Sequence, residues 1–483
     1  MRPTVSRFGA ALVLAAAFAL TGCGSLPPLA GRTPSYALQD TADTPLGQAV
    51  APRARQNPEK TGVIGFPDGR AALGLRVWLA RNAAKSIDVQ TFVWDATGTG
   101  ALLYEEMLKA ADRGVRVRLL VDDSNTQGLD SVDALLAAHP NIELRLYNPY
   151  VSRGSRMLGI LGDFERLNHR MHNKSFTVDN QVTIVGGRNL ADEYFEAGEA
   201  LSFADLDVLS AGVVVPSVSN EFDLYWNSES AYPAKLILDP SAPVLTREMF
   251  KQRVNEWLGS PVGAGYVKAV EDLKLLQRVR DGELSFEWTT AQVVNDDPAK
   301  TLRPTSETDL QLVPRLAKVW NSATTQLDLI SPYFVPGENG TELLVALVKR
   351  GVRVRVLTNS LAATDEASVH TGYARYRKRL LQGGVELFEF RPSSTTIREH
   401  AHQIGSSAQA GLHAKSFAVD RKTVFVGSFN LDPRSARLNT EMGLLIDSPS
   451  MAERLSRFLD GAAPGIAYQV RLDPEGHLQW LDG

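Results

Sequence analysis

The stretch Met171–Asn189 reads MHNKSFTVDNQVTIVGGRN, and the stretch Leu412–Asn430 reads LHAKSFAVDRKTVFVGSFN. Both fit the pattern H-x-K-x4-D-x6-G-[GS]-x-N, in which x stands for any residue. A long pattern that recurs far along the same chain indicates an internal duplication. We therefore expect two structurally similar halves, each of which contributes one copy.

Three further pairs of segments repeat in the same order in the two halves. The pairs are SIDVQTFVW (86–94) with QLDLISPYFV (326–335), LKAADRGVRVRLLVDDSN (108–125) with LVKRGVRVRVLTNSL (347–361), and IELRLYNP (142–149) with VELFEFRP (385–392). The first and third pairs indicate strands. The middle pair indicates the end of a helix and a glycine, followed by a strand with alternating arginines. This alternation predicts an α/β fold in which helices cover a largely parallel or mixed sheet.

The repeat also predicts the domain boundaries. We expect the first half at residues 67–215 and the second at residues 309–465. Residues 216–308 have no recognisable counterpart and are interpreted as a connecting insertion. Residues 23–66 lack apolar periodicity and are rich in Pro, Ala, Thr and Gln, which is typical of a flexible tether. Residues 466–483 remain as a C-terminal tail.

The bulk composition is that of a globular protein with ample core. The chain has 483 residues, of which 44% are hydrophobic and 22% are charged. Its formal net charge of −4 argues against a nucleic-acid binder that relies on a strongly basic face. A single Cys in the whole chain excludes an internal disulfide.

The N-terminus has the layout of a bacterial export signal. Arginines at the start precede an apolar run and then Leu20-Thr21-Gly22-Cys23, which resembles a lipoprotein lipobox. We expect cleavage after residue 22, lipidation of Cys23, and attachment to a membrane in the cell envelope, facing the periplasm. Gly24 favours the outer over the inner membrane. The alternatives are an uncleaved anchor and an ordinary secretory signal with a chance Cys.

Each copy of the pattern combines groups that suit a phosphate. His and Lys are two residues apart on a strand-like segment, so their side chains emerge on the same face. Asp179 and Asp420 lie at an expected hairpin turn, so we expect them not to act on the same substrate atom as the neighbouring His. Small residues then let backbone approach a ligand, and Asn189 and Asn430 follow where the chain leaves the sheet.

These two copies resemble the paired HKD motifs of the phospholipase D superfamily. The resemblance covers nearly all of residues 67–465 and implies two phospholipase D-like halves with one shared active site at their interface. It also implies the following assignments by position. The catalytic motif residues are His172, Lys174, Asp179, His413, Lys415 and Asp420, with the two aspartates supporting the architecture, and the phosphate-binding residues are Asn189, Ser428 and Asn430.

Of two imidazoles at a phosphodiester, one can act as the nucleophile and the other as the acid that protonates the leaving alkoxide. Following the commoner family pattern, we assign His172 as the nucleophile and His413 as the general acid and later base; the reverse remains an alternative. Neither a metal nor a cofactor is expected. Gly187 stands where the second copy has Ser428, so the two half-sites differ.

Each histidine also needs a carboxylate that fixes its tautomer. The sequence offers Asp205 in FADLDV and Glu441 in NTEMGLL, which begin corresponding strand-like runs after the two motifs. Asp207 competes with Asp205 for this role.

Beyond the HKD pairs, the chain resembles the C-type bacterial cardiolipin synthases. The matching stretches are residues 111–130, 170–195, 293–300, 357–381 and 424–443. The resemblance implies transfer of a phosphatidyl group onto phosphatidylglycerol, with phosphatidylethanolamine as a candidate donor and membrane phospholipids as partners. The lipobox departs from that pattern and leaves the membrane face and a protein partner open. The alternatives are a hydrolytic phospholipase D and, on weaker grounds, a nucleic-acid phosphodiesterase.

Overall fold

The fold is described from a computed structural model of the chain. It describes residues 25–154, 156–197, 201–272, 285–392, 409–461 and 463–482. The expected signal peptide, residues 1–22, and the expected lipidation site, Cys23, lie outside the described residues.

The first half is built on a nine-stranded mixed sheet in the order β10-β1-β8-β6-β5-β2-β3-β4-β9. Its strands are β1 Thr61–Phe66, β2 Ser86–Thr91, β3 Arg116–Asp122, β4 Ile142–Tyr147, β5 Ser175–Val178, β6 Val182–Gly186, β8 Asp207–Gly212, β9 Ala231–Pro233 and β10 Glu287–Thr289. A further strand, β7 Leu201–Ala204, lies outside this sheet.

The second half contains a nine-stranded sheet in the order β11-β18-β17-β16-β12-β13-β14-β19-β20. Its strands are β11 Ala291–Asn295, β12 Gln326–Ile330, β13 Arg353–Asn359, β14 Glu386–Phe390, β16 Lys415–Val419, β17 Thr423–Gly427, β18 Met442–Ile446, β19 Ala467–Leu472 and β20 Leu478–Asp482. The remaining strand, β15 Gln409–Leu412, pairs in parallel with β7 of the first half.

The two sheets share a seven-strand pattern, which confirms the predicted α/β duplication. The order β8-β6-β5-β2-β3-β4-β9 in the first corresponds to β18-β17-β16-β12-β13-β14-β19 in the second. In both, three central strands run parallel, and the strand that follows the HKD histidine pairs antiparallel to the first of them. The start of that strand therefore lies at the carboxyl edge of the parallel strands.

Helices pack on both sheets. They are α1 Pro45–Gln56, α2 Gly69–Asn82, α3 Gly98–Asp112, α4 Asp130–Ala138, α5 Arg156–Gly162, α6 Phe164–Leu167, α7 Val214–Trp226, α8 Arg247–Gly259, α9 Pro261–Asp272, α10 Val313–Asn321, α11 Gly337–Lys349, α12 Ala367–Gln382, α13 Pro433–Arg437, α14 Pro449–Gly461 and α15 Ala463–Ile466. Short 3-10 turns occur at Asp123–Asn125, Asp192–Phe195, Ala234–Leu236, Pro298–Thr301 and Thr308–Leu310.

Buried ion pairs at the alternating arginines tie one helix to each sheet. Arg118 on β3 binds Asp88 on β2 and Asp223 on α7, at N···O distances of 2.7 and 2.8 Å. In the second half, Arg355 on β13 makes the corresponding contacts with Asp328 on β12 at 2.7 Å and Asp460 on α14 at 2.6 Å. Helices α7 and α14 are therefore counterparts.

This equivalence corrects the prediction that residues 216–308 have no counterpart. Helix α7 corresponds to α14, and β9 corresponds to β19, so the first repeat extends beyond residue 215. The rest of the segment is divided between the halves: α8 and α9 pack on α3 and α2, β10 joins the first sheet, and β11 joins the second.

The described part of residues 23–66 is folded, so the prediction of a flexible tether is wrong there. Strand β1 pairs with β8 and β10, and the buried parts of α1 pack next to it. Upstream, the guanidinium of Arg32 donates to the carbonyl oxygens of Asn227, Ser228 and Ala231. This segment is held by polar side chains that bind backbone carbonyls. Such contacts leave no apolar periodicity in the sequence, so the pattern does not reveal them.

The C-terminal tail predicted at residues 466–483 is also part of the sheet. Strand β19 pairs with β14, and β20 completes the edge. Within the described part of the chain, no helix has the length and apolar character needed to cross a membrane.

The two halves share one apolar interface. It contains Val185 and Val208 from β6 and β8 packed with Val426 and Leu444 from β17 and β18, all buried. Because β6 pairs with the HKD strand β5 and β17 pairs with the HKD strand β16, this packing brings the two HKD copies together.

Candidate active site at the interface of the two halves

Backbone hydrogen bonds across the interface hold both HKD histidines. The amide of His172 donates to the carbonyl of Thr440 at 2.9 Å, and the amide of His413 donates to the carbonyl of Ala204 at 2.8 Å. Both imidazoles are buried. Each half therefore supplies one histidine and the backbone acceptor for the other.

The carboxylates are exchanged between the halves in the same way. Nδ1 of His172 lies 2.8 Å from Oε2 of Glu441, and Nδ1 of His413 lies 2.5 Å from Oδ2 of Asp205. The carboxylate that contacts each histidine thus comes from the other half. Asp207, the competing residue, instead pairs with Arg76 at 2.8 Å.

Burial sets the protonation of these pairs. It lowers the pKa of His172 to about 4 and that of His413 to about 3, despite the neighbouring carboxylates. Burial raises the pKa of Asp205, but His413 and Lys415 outweigh it and bring the value to about 2. Burial raises the pKa of Glu441 as well, but His172 outweighs it and lowers the pKa. At neutral pH each carboxylate is therefore ionised and each imidazole neutral. Since an ionised carboxylate can only accept, Nδ1 carries the proton, and the lone pair of the imidazole lies on Nε2.

The two lysines lie buried beside the histidines. Nζ of Lys174 donates to the carbonyl of His172 at 2.7 Å, and Nζ of Lys415 donates to that of His413 at 2.6 Å. Burial lowers the pKa of Lys174 to about 7 and that of Lys415 to about 8. The charge of Lys415 also lowers the pKa of His172 and Lys174, and the charge of Lys174 lowers the pKa of His413. The four groups therefore lie close enough across the interface to interact electrostatically.

The difference between Gly187 and Ser428 follows from the carboxylate beside each. A Cβ at Gly187 would lie 2.2 Å from Oδ1 of Asp205, so this position has no room for a side chain. The hydroxyl of Ser428 instead donates to Oε2 of Glu441 and accepts from the amide of Met442. Ser428 therefore contacts the carboxylate, whereas the resemblance to the phospholipase D superfamily implies a phosphate contact for it.

The two asparagines differ in their partners. Oδ1 of Asn189 accepts from the amide of Val93 at 3.3 Å. Oδ1 of Asn430 is buried without a hydrogen-bond partner in the described residues. A buried amide of this kind is suited to a ligand that brings its own polar groups.

The HKD aspartates lie at the far end of their strands, in hairpin turns. Asp179 and Asp420 have positive φ angles of 51° and 53°. The carboxylate of Asp179 accepts from the backbone amides of residues 84–86, and that of Asp420 from those of residues 324–326. These backbone donors outweigh burial and lower the pKa of Asp420. Each aspartate therefore fixes the start of β2 or β12 and lies apart from the histidines.

Comparison with known proteins identifies the origin of this arrangement. A family model described as "Cardiolipin synthase, PLD-like domain" matches residues 79–223 and 316–461. The chain belongs to this PLD-like family. Its two matched segments end inside α7 and at the end of α14, in agreement with the repeat seen in the sheets.

Several relatives span most of the chain. Cardiolipin synthase C of Escherichia coli is 43% identical over 441 residues, which cover 90% of this chain and 92% of the relative. Cardiolipin synthase A of Pseudomonas aeruginosa is 27% identical over 397 residues, 81% of this chain and 64% of the relative. The crystal structure of phosphatidylserine synthase from Haemophilus influenzae has a TM-score of 0.57 and 14% identity, with coverage of 89% and 92%. The last similarity supports the fold.

Two kinds of residue around this PLD-like site escaped the sequence analysis. The first kind supports Glu441: Asp296 accepts from its amide at 2.8 Å, and Ser435 donates to Oε1 at 2.6 Å. The second kind packs on the imidazoles. The ring of Phe92 lies 5.0 Å from that of His172, and the rings of Tyr194 and Phe203 lie 4.9 and 5.0 Å from that of His413. None of these five residues is repeated at the corresponding position of the other copy, so the repeat gives no signal for them.

The described residues around the two histidines form no cluster with the geometry of a metal site. Among the residues that the structure describes, the one group with suitable spacing is Asp473, Glu475 and His477, in the connection between β19 and β20. Two of its three members are exposed, and an acidic surface turn of this kind needs no ion.

Proposed function

We propose that this chain is a phosphatidyltransferase that forms cardiolipin from phosphatidylglycerol and a second phospholipid through a phosphohistidine. The observation that carries the proposal is the exchanged pair of histidine–carboxylate contacts in one buried volume with two lysines. Two neutral imidazoles, both with free Nε2 lone pairs, can act in turn on one phosphorus atom.

In the first step, Nε2 of His172 attacks the phosphorus of the donor lipid. The P–N bond forms, the bond from phosphorus to the headgroup oxygen breaks, and His413 delivers a proton to the leaving alkoxide. The neutral imidazole of His413 must gain this proton first. The anionic phosphodiester favours that, because it adds a negative charge beside a group whose pKa burial has lowered.

In the second step, His413 removes the proton from a headgroup hydroxyl of phosphatidylglycerol. The resulting oxygen attacks phosphorus, and the P–N bond to His172 breaks. This releases cardiolipin, frees His172 and leaves His413 protonated, ready to act as the acid in the next turnover. Lys174 and Lys415 are placed to balance the charge that collects on the phosphate oxygens, an effect of a few kcal/mol per donor in a dry site. Asn189 and Asn430 offer amides to the same oxygens.

The family relationship favours a lipid acceptor over water. The chain belongs to the cardiolipin synthase, PLD-like family, and the E. coli relative named cardiolipin synthase C covers nearly its whole length. The net charge of −4 gives no general attraction for nucleic acid.

Product analysis distinguishes the reactions. Incubation with phosphatidylglycerol vesicles, with and without phosphatidylethanolamine, is expected to yield cardiolipin in mass spectrometry of the lipids. A greater yield with phosphatidylethanolamine, together with free ethanolamine, would identify that lipid as the donor. Phosphatidic acid in place of cardiolipin would contradict the transferase proposal and identify a hydrolase. The double variant His172→Ala/His413→Ala serves as the background control.

We also propose that Cys23 carries a lipid anchor that holds the enzyme at a membrane of the cell envelope, with the outer membrane favoured by Gly24. The support is the lipobox-like sequence that precedes this single Cys. The Cys23→Ser variant is expected to lose incorporation of labelled fatty acid and to leave the membrane fraction. Unchanged membrane attachment of Cys23→Ser would contradict the anchor. Density separation of inner and outer membranes tests the location of the wild-type protein.

A further inference from the structure

The residue between His and Lys differs between the two HKD copies. It is Asn173 in the first copy and Ala414 in the second. Asn173 is fully buried, and its side chain makes two short contacts. Nδ2 donates to Oε1 of Glu221 on α7 at 2.6 Å, and Oδ1 accepts from the hydroxyl of Thr440 at 2.9 Å. A chain of buried side chains thus links helix α7 of the first half to a residue of the second half.

This chain ends next to the His172–Glu441 pair. Thr440 immediately precedes Glu441, and its carbonyl accepts the amide of His172. The side chain of Thr440 is thus fixed by Asn173 while its backbone fixes His172. The amide of Thr440 also donates to the carbonyl of Arg170 at 2.9 Å, so the Asn173 contact adds to a backbone pairing that places Thr440 beside His172.

The other half-site lacks such a link. The amides of His413 and Ala414 both donate to the carbonyl of Ala204, which precedes Asp205. Both flanking residues are alanines, so no side-chain hydrogen bond can join them. Instead, the side chain of Asn359 holds Leu412, the residue before His413: its Nδ2 donates to the carbonyl of Leu412 at 2.9 Å, and its Oδ1 accepts from the amide of Leu412 at 3.0 Å. The two half-sites therefore differ in which side chains position their imidazoles.

We propose that Glu221 and Asn173 are positioning residues that hold the His172 imidazole in line with the phosphorus atom. The inference rests on the proposed function, in which His172 is the nucleophile. A nucleophile must reach phosphorus along one direction, and small misplacements of the reacting atom are costly. The Asn173 link is present only in the half-site of the proposed nucleophile, because the second copy has Ala414 at the corresponding position.

Glu221 is uncharged at neutral pH, so its contact with Asn173 is a hydrogen bond between neutral groups. Burial raises its pKa to about 8, against the hydrogen bond from Asn173, and the charge of Asp223 adds to the rise. At neutral pH the side chain is a neutral carboxylic acid that accepts from the Asn173 amide. A glutamine has the same shape and the same acceptor, so Glu221→Gln preserves the contact, whereas Glu221→Leu removes it.

The test compares these variants on a phosphodiester with a p-nitrophenol leaving group, whose release reports the first step without the acceptor lipid. We expect Glu221→Leu and Asn173→Ala to lower the maximal rate of the p-nitrophenol burst, which is the kcat of the first step, about tenfold, with little change in the substrate concentration for half of that rate, which is its KM. Glu221→Gln is expected to restore most of the rate lost in Glu221→Leu. Ser219→Ala is the matched control, because Ser219 is buried on the same helix but bonds to Asn180.

Several outcomes would overturn the inference. They are a change in KM in place of kcat, an equal loss in Glu221→Leu and Glu221→Gln, or an equal loss in Ser219→Ala. Thermal unfolding of each variant separates a folding defect from a loss of alignment, and Asn173→Ala provides a second route if Glu221→Leu does not fold. A failure of the proposed function itself is distinct, because the wild-type enzyme would then form no phosphohistidine and no cardiolipin.

Discussion

The His413→Ala variant is expected to form a covalent phosphohistidine at His172 and then to stop, when its substrate is a phosphodiester with a p-nitrophenol leaving group. This leaving group departs as a stable anion and needs no proton, so the first step proceeds without the general acid. The second step fails because no base activates the acceptor. With natural lipids both histidine variants are expected to lose about 10⁴-fold in turnover.

A burst of p-nitrophenol equal to the enzyme concentration measures the first step, and mass spectrometry of peptides locates the modified residue. His172→Ala should give neither a burst nor a modified peptide. His477→Ala is the control, because that imidazole is largely exposed and lies between β19 and β20. A modified His413 in the His172→Ala variant would reverse the two roles, and wild-type turnover in either variant would refute the two-half mechanism.

The repeat made the central part of this architecture predictable from sequence. His172 and His413 each precede a strand that lies beside three parallel strands, and the pattern around them recurs almost without change. Local spacing also predicted the hairpin turns at Asp179 and Asp420, because an Asp between two apolar runs favours such a turn.

Contacts between distant segments could not be predicted in this way. The sequence indicated Asp205 and Glu441 as carboxylates that orient histidines, but each one contacts the histidine of the other half. A repeat gives the same pattern whether its copies act alone or exchange residues. The difference depends on the packing of Val185 and Val208 against the second sheet, which no local spacing encodes.

The first and last strands could not be predicted, for a different reason. Strand β20 lies at the edge of its sheet and is mostly exposed, and strand β1 has the sequence TGVIGF, in which two glycines interrupt the apolar residues. Such strands carry a weak alternation signal. The sequence therefore gives no sign that the predicted tether and C-terminal tail contain strands.

The variants Glu441→Gln and Asp205→Asn, at the two exchanged carboxylates, are both expected to lose turnover of natural lipids but to differ in the first step. Either amide can donate to Nδ1 of its histidine, and this stabilises the wrong tautomer, in which Nε2 carries the proton. A protonated Nε2 of His172 cannot attack phosphorus, and a neutral Nε2–H of His413 is a poor acid. Turnover of natural lipids is expected to fall about 10³- to 10⁴-fold in both variants.

The two variants should nevertheless differ on the p-nitrophenol substrate. Asp205→Asn impairs His413 alone, so it is expected to retain the burst and to accumulate phosphohistidine. Glu441→Gln impairs His172, so it is expected to lose the burst. Glu453→Gln, at a carboxylate on α14 that contacts Arg421 and Arg457 outside the site, controls for the loss of a negative charge. If Glu441→Gln kept the burst and Asp205→Asn lost it, each carboxylate would serve the histidine of its own half, and the contacts across the interface would have no catalytic role.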